Sequence, residues 1–366
     1  MVSSADKREK IESLQALRTI AFIGIFLYHA GSPVKWQTLG VSVFFVMSGF
    51  LMVYKHEDDE LAQGIRERLL FSWERIRRLY PLHILTMIFA VILAVAVSIH
   101  AGFSFRSLFE IIGETALNIF LVQTWFPNGA VNVSLNGVAW YLSVTVFLYF
   151  MFPVILRFMK GKKQSTLWII CVIVLLVQWL SCVPFICYLG SNSLVYVWFM
   201  YCFPVFRLGD FFVGCVLGRQ YVNSKPGECS PVTATVIELI LAVITVMLYV
   251  HKSTGENDLI ITALNNWTTR FIPVAAMWIY LFALNRGLIT KAFTNRVFLF
   301  IGNLSAYMFL IHYVVAQYTK RLLNILNITL AGPVMWIVIV LEFVISLILS
   351  MMYKLHKSRQ NANIIQ

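Results

Sequence analysis

Arg18 and His29 are ionisable side chains inside an otherwise apolar run, eleven residues apart. Facing lipid, such a group costs at least about 2.5 kcal/mol, so each needs a partner or a wet cavity. Eleven steps of 100° close to within about 20° of three turns, so on one helix both project from one face, about 16 Å apart along the axis. One polar stripe is therefore expected to face a bundle interior. Arg18 falls nearer the cytoplasmic side and His29 nearer the outer side, a course along which a long anionic donor can lie. A histidine of near-neutral pKa can take a proton from a hydroxyl attacking a thioester carbonyl and return it to the leaving thiolate. His29 is the candidate base, although a histidine bonded to a neighbouring helix fits the same residue and is ahead on that residue alone.

The run Arg75-Ile-Arg-Arg78-Leu-Tyr-Pro81 places Arg75 and Arg78 three apart. On a helix they share a face and can hold phosphates in bidentate fashion at a cytoplasmic surface, where anchoring to anionic lipid is the plainer explanation. Pro81 suits the first turn of the helix that follows. Arg207 and Asp210 are also three apart, so they can neutralise one another within a span, a structural pair. His312, Arg270 and Glu342 are further polar groups in apolar runs and suit hydrogen bonds between helices. Trp140 and Ser143 stand at a span start, where an interfacial tryptophan anchor is the default.

These side chains need helices in a membrane to position them. The 366 residues are 59% hydrophobic and 13% charged, with mean hydropathy +0.78, against about one-quarter charged in soluble domains. Apolar runs at 14–31, 38–55, 80–99, 138–156, 166–185, 196–218, 233–251, 267–285, 297–318 and 333–353 read as ten crossings. The expected fold is a polytopic all-α transmembrane bundle forming one domain over 1–366. The first apolar run holds Arg18 and His29 and ends in no small-residue cleavage site, so it reads as a retained span rather than a signal peptide. The net charge of +12 could suggest nucleic acid, but the basic residues occupy short loops without interleaved stacking aromatics. The six cysteines show no CxxC pair and no zinc spacing; Cys182 and Cys187 could pair, but buried free thiols are the simpler reading.

A further stretch, 109–125, is interrupted by Glu110, Glu114, Asn118 and Gln123. If it dips in and returns, and both termini including the tail 354–366 are cytoplasmic, inside segments hold 21 Lys and Arg. Outside segments then hold 5, namely Lys35, Arg106, Lys252, Lys320 and Arg321. That asymmetry follows the positive-inside tendency; a crossing helix would place the basic tail outside. A re-entrant segment requires protein or a wet cavity around it, so it is expected to line a site. The loop 55–79 runs from the acidic stretch Glu57 to Glu60, a solvated face, into five arginines and reads as a cytoplasmic interfacial helix.

Arg18 with His29, then Gly40-Val-Ser-Val-Phe-Phe-Val-Met-Ser48-Gly49-Phe50-Leu51, then Arg75-x-x-Arg78-Leu-Tyr-Pro81, resemble the signature of the acyltransferase 3 family of membrane proteins. Trp140-Tyr-Leu-Ser143, Arg207-x-x-Asp210-Phe-x-x-Gly214 and Ser305-Ala-Tyr307 through His312 resemble its later blocks in order. The resemblance covers almost the whole chain. It implies a bacterial inner-membrane O-acyltransferase taking acyl, commonly acetyl, from cytoplasmic acetyl-CoA to surface polysaccharides, antibiotics or lipid-linked sugars. It also implies ten spans and a re-entrant element, with acyl-CoA a substrate rather than a bound cofactor and no metal.

By the resemblance His29 is catalytic base or acyl carrier and Arg18 its first-span arginine. Arg75 and Arg78 fall at the donor's phosphates, and Trp140, Ser143, Arg207 and His312 in donor- or substrate-binding blocks. One departure stands out. Where many relatives carry glutamate after the Trp-x-Leu-Ser block, this chain has Thr145, so the acid is absent or comes from Glu110, Glu114 or Glu342. The alternative reading is a transporter or flippase for a small or lipid-linked substrate, because buried Arg and His also mark transport paths. An importer serving a racemase or synthase is a third.

Overall fold

The computed structural model describes residues 8–34, 36–102, 104–190, 193–224, 229–250 and 268–365, the last five of these by backbone alone. Lys35 and Lys252, counted above among the outer cations, lie outside the described residues. Among the described residues every regular element is a helix, and there is no strand. The elements are α1 (Ser13–His29), α2 (Gln37–His56), α3 (Ile65–Ile76), α4 (Tyr80–His100), α5 (Phe105–Ile119), α6 (Gly129–Asn132) and α7 (Trp140–Met159). They continue with α8 (Gln164–Leu180), α9 (Cys182–Leu189), α10 (Leu194–Val197), α11 (Pro204–Asn223) and α12 (Pro231–Val250). The last are α13 (Ile272–Leu284), α14 (Leu288–Phe293), α15 (Arg296–Gly302), α16 (Ser305–Ile325) and α17 (Gly332–Ile365).

Seven helices among the described residues are long and apolar enough to cross a membrane, or eight if a bent pair counts as one span. This is a multi-pass membrane protein. Helices cover all ten expected spans, but α1 has only 17 residues and α13 only 13. The run 297–318 is not one straight span: α15 and α16 meet at Asn303–Leu304 with a bend of 70°. Asn303 and Ser305 bond backward to Leu299 and Gly302 carbonyls, capping the end of α15.

The tightest pair of helices is α2 with α11, and glycine permits it. A Cβ on Gly214 would overlap the Val46 carbonyl oxygen, and one on Gly49 would overlap that of Phe211. Small residues at such crossings let backbones touch, which is how helices associate in lipid, where apolar burial supplies little drive. The core around this crossing includes Phe45, Phe50, Phe211 and Phe152, all fully buried.

The basic loop forms α3, which lies antiparallel along α7. Arg68 Nε donates to the Phe150 carbonyl at 3.0 Å and Ser72 Oγ to that of Val146 at 2.7 Å. Helix α4 opens with Pro81 in its first turn, where the missing N–H costs nothing.

The stretch 109–125 is not a single helix. Helix α5 runs back along α4, with Ser107 bonded to Ser98 at one end and the carbonyl of Ile119 accepting from Tyr80 at the other. The chain then turns at Leu121, whose φ of 54° is left-handed, and proceeds to α7 through short turns. Buried polar side chains serve that irregular backbone. Ser143 donates to the Leu121 carbonyl, Trp198 to that of Thr124, and Asn136 to that of Leu310. Irregular backbone among apolar helices is tolerated only with such partners.

Candidate active site

His29 ends α1 and His312 lies mid-way along α16, 283 residues later, yet their rings meet, with Nδ1 of His29 3.0 Å from Nε2 of His312. Hydrogen-bond logic assigns the protons. His312 Nδ1 lies 3.0 Å from the Met308 carbonyl oxygen, which can only accept, so that nitrogen carries the hydrogen. In the neutral ring Nε2 is then bare and accepts from His29 Nδ1–H. His29 is left with a bare Nε2, the lone pair a general base needs.

Packing fixes this chain. The Phe22 ring stands edge-on to His312 at 5.4 Å and the Tyr313 ring edge-on to His29 at 5.0 Å. His312 is fully buried, whereas His29 is half-buried and opens into a cavity of about 1210 Å³ lined also by Tyr313, Gln317, Lys320, Arg321 and Glu342.

Arg18 stands at the other end of α1, half-buried, with its Nη1 3.4 Å from Gln15 Oε1, flanked by Tyr141 and Tyr149. The continuous polar stripe expected between Arg18 and His29 is absent. Phe22 and Ile25, both buried, occupy that face of α1 between them, and Phe309 reaches from Tyr141 to His312. Helix packing against α16 claims those positions, so the two ionisable groups belong to separate polar ends of one aromatic interior.

Around Arg18 the basic groups converge. Lys55, at the end of α2, lies within Coulombic reach of Arg18, Arg78, Arg75 and Lys10. None of these five cations forms an ion pair among the described residues. Arg75 donates from Nη2 to His56 Nε2 at 2.9 Å, and the opposite ring nitrogen of His56 meets Asp59 at 2.5 Å. Its guanidinium also lies over the Phe71 ring at 3.3 Å, and burial holds its pKa down to about 10. Helix α3 ends at Ile76, so Arg78 sits in the following turn rather than on a shared helical face, exposed, with its carbonyl accepting from Lys357. Glu74 and Asp59 offset part of the charge at Arg75; the cations in excess of them repel one another, and a polyanion relieves that repulsion.

The other expected site residues lie elsewhere. Trp140 is buried in the core, its ring 4.5 Å from Tyr201 and 5.8 Å from Phe45, and is no interfacial anchor. Ser143 meets Thr124 Oγ1 and the Leu121 carbonyl, bracing the turn after α5. Arg207 pairs with Asp210 at 2.9 Å, and Gln178 Nε2 donates to the other carboxylate oxygen at 2.8 Å, a buried unit that satisfies the carboxylate.

Thr145 Oγ1 donates to the carbonyl of Tyr141 on its own helix. Of the three alternative acids, Glu110 pairs with Arg106 on exposed α5 and Glu114 sits half-buried one turn on. Glu342 lines the His29 cavity and has a buried Oε2 with no hydrogen-bond partner among the described residues. Lys55 and Tyr313 were not singled out from the sequence. Lys55 had a signal, standing seven residues after Ser48 on one face of α2.

The family model for acyltransferase 3, described as an acyltransferase domain, matches residues 11–354. The chain is 25% identical to acyltransferase MdmB of Streptomyces mycarofaciens over 346 residues, 86% of this chain and 81% of that protein. It is also similar to Staphylococcus aureus proteins named for O-acetyltransferase activity: 32% identical over 165 residues to one from strain COL and 31% to one from strain MSSA476. That match spans 41% of this chain and a quarter of those longer proteins. No solved structure matches.

Proposed function

The chain belongs to the acyltransferase 3 family and is an acyltransferase, and we propose that it moves an acyl group, acetyl by preference, from acyl-CoA to a hydroxyl of a cell-envelope saccharide with His29 as base. The observation that carries this reading is the chain from the Met308 carbonyl through His312 to His29, which leaves His29 Nε2 bare at a cavity wall.

The donor's phosphates lie among Arg18, Lys55, Arg75 and Arg78, with the thioester directed along the aromatic interior to His29. The acceptor enters the cavity at the far end of α1. As the acceptor oxygen attacks the thioester carbonyl, His29 Nε2 takes its proton and charge collects on the carbonyl oxygen. Collapse of that intermediate breaks the C–S bond, and His29 returns the proton to the departing thiolate. The products are the O-acyl acceptor and CoA thiol. His312 stays neutral until His29 is protonated, then shares its added charge through the same hydrogen bond. With the basic face cytoplasmic, both termini are inside, the donor binds from the cytoplasm of the inner membrane, and the product forms on the opposite side.

Reconstitution tests the reading. Purified protein in liposomes, given acetyl-CoA labelled in the acetyl group and an envelope-glycan fraction, is expected to release free CoA and leave base-labile label on the glycan in equal amounts. Movement of a labelled lipid-linked sugar across the bilayer with no acetyl transfer contradicts the proposal and supports a flippase.

A further inference from the structure

The cavity at His29 carries a charge pattern that acyl transfer alone does not require. Among the described residues, three Lys and Arg lie on the face opposite the basic loop: Arg106, Lys320 and Arg321. Cations on that face run against the positive-inside tendency. Arg106 is accounted for by its 3.0 Å ion pair with Glu110. Lys320 and Arg321 form no ion pair among the described residues, and both line the His29 cavity.

Position on α16 sets the distance. Tyr313, Gln317, Lys320 and Asn324 repeat at helical spacing along the cavity wall, and Lys320 stands seven residues beyond the ring that packs on His29, about 10 Å along the axis. Glu342, the one acid in that wall among the described residues, forms no ion pair with either cation. Gln317 adds a buried Oε1 without a hydrogen-bond partner among the described residues, while its amide nitrogen donates to the Leu135 carbonyl at 3.0 Å.

We propose that Lys320 and Arg321 form an oxyanion subsite for the acceptor, which carries a phosphoryl or carboxylate group about 10 Å, one to two sugar rings, from the hydroxyl that is acylated. This rests on the proposed acyl transfer and adds the class of acceptor: an anionic saccharide, its charge on a lipid diphosphate or on a uronic acid.

Two matched acceptor pairs test it in nanodiscs of neutral lipid. One is a glucuronic-acid disaccharide with its carboxyl-reduced counterpart; the other is polyprenyl-diphosphate-linked N-acetylglucosamine with octyl N-acetylglucosaminide. Binding is measured without acetyl-CoA, and transfer with it. The charged member of one pair is expected to bind at least tenfold more tightly than its neutral partner, and which pair shows this identifies the source of the charge. The Lys320→Gln/Arg321→Gln double variant is expected to lose that preference while its affinity for the neutral member stays within twofold of wild type. Equal binding of charged and neutral members by the wild type, or a preference that survives in the variant, overturns the subsite. Charge-selective binding without transfer keeps the subsite and counts against acyl transfer.

Discussion

At the residue scale the site turns on which nitrogen holds which proton. His312 acts by denying His29 Nδ1 any role but donor, so its replacement should be felt as lost tautomer control. Loss of one such hydrogen bond costs about 1–3 kcal/mol, roughly ten- to a hundredfold in rate. His312→Ala should lower kcat by that factor with the KM for acetyl-CoA little changed. His312→Gln, which offers an amide oxygen near the former Nε2, should recover much of the loss. Equal losses in both variants, with folding intact, would mean that His312 only fills space.

The sequence exposed both histidines but not their contact, because 283 residues separate them and no periodicity reaches that far. Trp140 shows the converse limit. A tryptophan at a span start is ordinarily interfacial, but Phe45 of α2 and Tyr201, just before α11, pack on its ring in the buried core.

At the scale of elements, hydropathy located helices well and their ends and breaks poorly. It marked the runs that became α2, α4, α7, α12 and α17, since a bilayer-length apolar stretch has few other folds. It missed the 70° break between α15 and α16, because the short linkage Gly302-Asn303-Leu304-Ser305 is too brief to interrupt a bilayer-length apolar average, and the bent pair still passes as one span.

Gly214 sits where a Cβ would overlap the Val46 carbonyl, and no flexible side chain is there to yield. Gly214→Ala must therefore push α11 from α2, and should lower the thermal midpoint in detergent by several degrees and reduce the yield of folded protein. An unchanged midpoint would show that the two helices do not meet as closely as described.

For the whole molecule, the distribution of charge carries the orientation. Nineteen of the 25 Lys and Arg among the described residues lie in segments at the basic-loop end, and the exposed tail returns there, where Lys357 meets the Arg78 carbonyl. Impermeant maleimide added to intact cells should label a cysteine placed at Thr329, in the loop beyond α16, and should not label one at Lys354 until the membrane is opened. The background is a variant with Cys187 and Cys229, the two native thiols that are not buried, changed to serine. The reverse pattern would invert the protein and, with it, the assignment of donor and acceptor sides. Charge counting proposes this orientation without any tertiary contact. The cation cluster around Lys55 could not be reached so, because α1, α2 and α3 build it jointly.

The claim to which the rest is attached is that His29 Nε2 removes the acceptor's proton. The most direct measurement is kcat for acetyl transfer by purified His29→Ala in liposomes, beside acetyl-CoA affinity measured separately on the same preparation. A positioned general base contributes about 10²- to 10⁴-fold, so kcat should fall by that factor while acetyl-CoA binding remains within a few fold of wild type. Transfer at the wild-type rate by a correctly folded His29→Ala protein would contradict the account.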